Sequence, residues 1–102
     1  MNIIKTHEND TINFCVEGRL DTTTAPKLQN MLIPAFDLAK DIILDFAKLE
    51  YVSSAGLRIL LMGQKTAKTK DLNMKICNVS ADIYEVFEMT GLDDLLDIET
   101  AE

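Results

Sequence analysis

The chain has 102 residues, 47% of them hydrophobic and 26% charged, with seventeen acidic residues against ten basic ones for a formal charge of −7. That length and balance suit a single domain over residues 1–102 with a real core, exclude a disordered chain, and weigh against nucleic acid, whose backbone would be repelled. No apolar run approaches the ~20 residues of a membrane-spanning helix and Met1-Asn2-Ile3-Ile4-Lys5 lacks a signal-peptide centre, so no membrane insertion and a cytoplasmic location are expected.

Residues 2–6 and 11–17 are short β-prone runs separated by Glu8-Asn9-Asp10, whose polar side chains suit a hairpin loop, and Gly18 is expected to end the second run. From Ala25 the spacing becomes helical, with Leu28, Met31, Leu32, Ala35 and Ala39 on one stripe, Thr23 or Thr24 as N-cap and Pro26 in the first turn. Pro34 lies inside that pattern, where it removes a bond to the carbonyl of Asn30, so a kink or break is expected. Ile42-Ile43-Leu44 is a continuous apolar run with Asp45-Phe46 after it, the pattern of a central strand covered on both faces.

After a connector over 47–52, the sequence predicts a helix from about Ser54 to Thr69 with Leu57, Leu60, Leu61, Gln64 and Ala67 on its buried stripe. Lys65, Lys68 and Lys70 near its end read as partners of the negative helix terminus. Leu72–Val79 reads as a strand, and Ser80 as the cap of a helix with Asp82 and Glu85 in its first turn, Ile83, Val86 and Phe87 inward and Gly91 as terminator. Leu95–Ile98 completes an order β-β-α-β-α-β-α-β, which calls for an α/β fold: a mixed sheet of four to five strands with helices packed on it. Cys15 and Cys77 stand alone in strand-like segments with no metal-ligand spacing, and are expected as buried free thiols.

Chemistry concentrates where a buried strand feeds two hydroxylated residues, Ser53 and Ser54, at the opening of a helix. Backbone N–H groups there lack intrahelical partners and the helix dipole favours negative charge, so the fold could tolerate a phosphate on either serine. The plainer alternative is an N-cap contributing about 0.5 to 2 kcal/mol. Catalysis has little support: the only histidine, His7, lies at an N-terminal strand end, and Val52-Ser53-Ser54-Ala55-Gly56 lacks the Gly-X-Ser-X-Gly nucleophile elbow, so no enzyme is expected.

The run Tyr51-Val52-Ser53-Ser54-Ala55-Gly56-Leu57-Arg58 resembles the signature of the STAS-domain anti-sigma factor antagonists, in which an aromatic-hydrophobic pair precedes Asp/Ser-Ser-X-Gly-Leu. Gly18-Arg19-Leu20-Asp21 followed by Thr24-Ala25 is similar to the family's loop before its first helix, and Val86-Phe87-Glu88-Met89-Thr90-Gly91-Leu92 to its last helix-turn. These patches span essentially the whole chain. The resemblance implies a STAS-like fold and a partner-switching regulator. Unmodified, such a protein binds an anti-sigma factor or related serine kinase of the histidine-kinase-like ATPase fold; that kinase phosphorylates the serine matching Ser54, with Ser53 the alternative, and a metal-dependent serine phosphatase reverses it. Asp21, Ser53, Ser54, Gly56 and Arg58 are then expected at the partner surface. ATP and metal belong to the partners, so no cofactor is assigned to this chain. Ser53 departs from the family's frequent Asp, and the usual C-terminal helix is expected to be absent or abbreviated. A STAS scaffolding subunit of a transporter or sensor assembly, never phosphorylated, is the rival reading.

Overall fold

The computed structural model describes residues 1–101. Strands β1 (Asn2–Glu8) and β2 (Thr11–Leu20) form an antiparallel hairpin with Asn2 opposite Glu17 and Glu8 opposite Thr11. Asn9 takes a left-handed φ of 56° in the turn, a conformation that asparagine tolerates. Gly18 does not end β2 as expected. It adopts φ 96° at a bulge, and the strand runs on to Leu20. A residue with a Cβ would be strained at that angle, so glycine lets the strand bend without stopping.

The extended half of β2 pairs in parallel with β4 (Leu49–Val52), a strand formed by residues expected to be a connector. Its four residues, buried at both ends and exposed in the middle, are too few to display a period. The sheet therefore has six strands rather than four to five, in the order β1-β2-β3-β5-β6 with β4 on β2, where β3 is Asp41–Asp45, β5 Asn73–Val79 and β6 Ile98–Thr100. The pairings β2–β3, β3–β5 and β5–β6 are parallel, as strands joined across helices require.

β3 is central, but only one of its faces is sealed: Ile42 and Leu44 are buried while Asp41, Ile43 and Asp45 are half-exposed. The same alternation holds in β2, where Ile12, Phe14 and Val16 are fully buried. All three helices contribute to one apolar cluster on the buried face, with Leu28 and Leu32 from α1 (Ala25–Ala35), Leu57 and Leu60 from α2 (Ser54–Thr69), and Ile83 and Phe87 from α3 (Ala81–Thr90). Among the described residues no polar side chain belongs to the fully buried set.

Pro34 has the expected effect. α1 stops one residue after it at Ala35, and Ala39 is buried beyond the helix rather than on its stripe. α2 has the expected limits, yet its buried stripe is Gly56, Leu57, Ile59, Leu60, Gly63 and Ala67, with Leu61 and Gln64 only half-buried. The glycines explain the rotation, because they let this side of the helix come close to Leu20, Leu32 and Met74. Lys68 lies in the last turn, whereas Lys70 bridges to Asp37 at 2.8 Å and ties the ends of α1 and α2. Gly91 closes α3 as expected. The final strand begins at Ile98, later than the expected Leu95–Ile98, because Leu92–Asp94 form a 3₁₀ turn and Leu96 plugs the core.

Candidate functional site

β4 delivers the chain directly into α2. Ser53 is half-buried and extended, donates its N–H to the carbonyl of Leu20 at 2.9 Å, and accepts from the N–H of Gly56 at 3.5 Å, a long capping bond. Ser54 is the first residue of α2 and is exposed, and its hydroxyl has no hydrogen bond among the described residues. The two serines thus divide the work: one holds the helix and the other faces solvent.

Gly56, expected from the family pattern at a partner surface, is not exposed. It is buried, and a Cβ there would stand 2.7 Å from Leu20 Cγ and 3.0 Å from Val52 Cγ2. Its physical contribution is close approach, which seats the first turn of α2 on the ends of β2 and β4.

Asp21 opens the loop between β2 and α1. One carboxylate oxygen accepts from the Thr23 hydroxyl at 2.8 Å, the Thr23 N–H at 3.0 Å and the Thr24 N–H at 3.2 Å. The Thr23 hydroxyl, with the amides of Thr24 and Thr23 behind it, holds this carboxyl below the usual aspartate range. Thr24, expected as N-cap, makes no capping bond; its hydroxyl accepts from the Asp21 N–H at 2.8 Å and donates to the carbonyl of Arg19 at 2.9 Å.

Arg19 and Tyr51 join this site although sequence motifs alone did not single them out for it. The parallel register of β2 and β4 sets them side by side, with the guanidinium 4.1 Å from the ring centroid and Arg19 Nε 3.8 Å from Asp21 Oδ2. The signal lay in β4 itself, since without that strand nothing places residue 19 beside residue 51. Through these contacts and the Ser53–Leu20 bond, the Asp21 loop and the start of α2 form one surface.

Arg58 lies one turn into α2, exposed, in a shallow cleft of about 250 Å³ that Thr22, Pro26, Ala55 and Met62 also line. It has no ion-pair partner among the described residues. Asp45 is engaged elsewhere, accepting from Ala47 N–H and Asn78 Nδ2, both at 3.0 Å. Cys15 and Cys77 are free thiols but only half-buried rather than buried as expected, because their alternating strand positions fall on the face opposite the core. Partial desolvation still pushes both above the ordinary cysteine range. No group of three potential ligands that could hold a metal occurs among the described residues. The exposed Ser54 hydroxyl lies beside this surface with no hydrogen-bond partner among the described residues.

Comparison with known proteins gives a consistent result. The STAS domain model matches residues 2–102. The anti-sigma-B factor antagonist of Bacillus subtilis is 32% identical over 95 residues, covering 93% of this chain and 86% of the relative. That of Listeria monocytogenes is 30% identical over 101 residues, covering 97% and 88%. Among solved structures, the anti-sigma factor antagonist SpoIIAA superimposes in its unphosphorylated form with a TM-score of 0.82 at 19% identity, covering 97% of this chain and 89% of that one. Its phosphorylated form gives 0.76, also at 19% identity, with coverage of 97% and 92%.

Proposed function

The chain belongs to the STAS domain family, and from that premise we propose that it is an anti-sigma factor antagonist whose partner binding is controlled by phosphorylation of Ser54. One observation carries the choice of residue: Ser53 is spent on the helix cap, while the adjacent Ser54 hydroxyl is exposed and unbonded at the first position of α2. Unmodified, this surface docks on an anti-sigma factor that is also a serine kinase of the histidine-kinase-like ATPase fold, and so releases that protein's other client.

The kinase then transfers the γ-phosphoryl group of ATP. A bond forms from Ser54 Oγ to phosphorus, the bond to the ADP oxygen breaks, and the hydroxyl proton passes to a base of the kinase. A metal-dependent serine phosphatase hydrolyses the ester and restores the hydroxyl. The phosphate adds about −1.5 to −2 charge and three acceptor oxygens at a helix start that accepts them, so docking changes while the core does not. Asp21, paired with an Arg19 that also rests on the Tyr51 ring, borders the same docking surface.

The test is calorimetric titration of a kinase partner of this class with Ser54→Ala and Ser54→Asp. Ser54→Ala is expected to bind as tightly as the parent and Ser54→Asp about 100-fold more weakly, on the order of 3 kcal/mol. Equal affinities would refute the reading and favour a STAS scaffold that is never phosphorylated.

A further inference from the structure

The two arginines of the chain are in opposite situations. Arg19 is committed to Asp21 at 3.8 Å and to the Tyr51 ring at 4.1 Å. Arg58 is exposed and has no carboxylate within ion-pairing distance among the described residues, and it sits four positions after Ser54 on the same helix. Residues at that spacing lie one above the other, with Cβ atoms about 6 Å apart, and a negative group placed N-terminal to a positive one is the favourable order. α2 carries no Asp or Glu from Ser54 to Thr69, so nothing on the helix competes for the guanidinium. The cleft around Arg58 is lined by Thr22, Ala25, Pro26, Ala55 and Met62, which supply no charge either.

We propose that Arg58 receives the phosphate of phosphorylated Ser54 within the same helix, so that modification both adds a dianion and neutralises the cation that the unmodified surface offers to an acidic patch of the partner. A guanidinium presents a planar fork that fits two phosphate oxygens at once. The pair would remove a positive contact from the cleft that Arg58 lines. This deepens the Ser54 reading and rests on it for its biological meaning, but the pairing itself can be tested without any kinase.

Phosphoserine is installed at position 54 by genetic encoding, in the full chain with Arg58 and in the Arg58→Gln and Arg58→Lys variants, and each is titrated by phosphorus NMR. Circular dichroism of the unmodified variants checks that the exposed substitutions leave the fold intact. With Arg58 the second phosphate ionisation is expected about 0.15 to 0.4 of a unit below that of Arg58→Gln, with Arg58→Lys in between. The Arg58 Nε–H resonance is expected to shift on going from serine to phosphoserine. Superimposed titration curves, with an unmoved Nε–H signal, would overturn the proposal. Because the phosphate is built in, a kinase that fails to discriminate Ser54→Ala from Ser54→Asp would sink the partner-switching reading and leave this result standing, and the converse holds equally.

Discussion

α2 and α3 begin alike and carry opposite charge. Each follows a strand without a loop, each is capped by a serine, and in each the serine oxygen accepts from the third helical N–H, Gly56 at 3.5 Å and Ile83 at 3.3 Å. α3 then places Asp82 in its first turn and continues with Glu85 and Glu88, without a cation, whereas α2 holds Arg58, Lys65 and Lys68 without an acid. In a chain of net charge −7 this separation has a physical meaning. Asp82 compensates the positive end of α3, so that helix is complete as it stands. The corresponding end of α2 is left uncompensated, with an exposed hydroxyl where a negative group would be stabilising.

The largest effects should come from the third helical position. Ile83 is buried and fills its site, so Ile83→Ala should cost about 2 to 4 kcal/mol in urea unfolding. Gly56 has no room, so there the damage comes from adding a methyl, and Gly56→Ala should cost about 1 to 3 kcal/mol. Equal tolerance of alanine at both would break the contrast in packing. The charge contrast is probed by one substitution made twice. Met62→Glu on α2 should weaken binding of the kinase partner about 5-fold, and Met89→Glu on the far more exposed site of α3 less than about 2-fold, measured by the same titration as Ser54→Ala.

Smaller shifts of opposite sign sharpen the dipole argument. Ser54→Asp should raise thermal stability by about 0.3 to 1 kcal/mol even as it weakens docking, and Asp82→Asn should lower stability by a similar amount. Loss of stability in both would show that α2 does not hold its end open for charge. The smallest effect lies in the adjoining loop. Asp21 titrates below the usual range chiefly through the Thr23 hydroxyl, so its contribution to loop order is complete above the ordinary aspartate pKa and fades as pH falls through the lowered value. Thr23→Ala should move that fading to higher pH, as followed by carbon NMR of the Asp21 carboxyl.

Much of this was legible in the residues, for identifiable reasons. Long periodic segments such as α2, and caps such as Ser80 and Gly91, declare themselves locally, and so did the position of Ser54. β4 did not, because four residues cannot establish a period when their exposure is decided by a distant strand. With β4 hidden, the contact of Arg19 with Tyr51 was hidden too, and so was the division between a capping Ser53 and a free Ser54. Gly56 was expected at the surface and lies buried, because a motif position carries no record of whether it faces solvent or Leu20. The half-wet sheet escaped notice because Ile43 is apolar and yet faces the side that no helix covers.

The bulge at Gly18 bends β2 so that its last residues carry β4, and the Leu20–Ser53 bond then locks two stretches of chain more than thirty residues apart. Loop and serine are therefore fastened to the same strand end. A protein assembled in this way can change its message without rebuilding its core, so a partner that tells the two forms apart must be sensing charge and crowding around the first turn of α2.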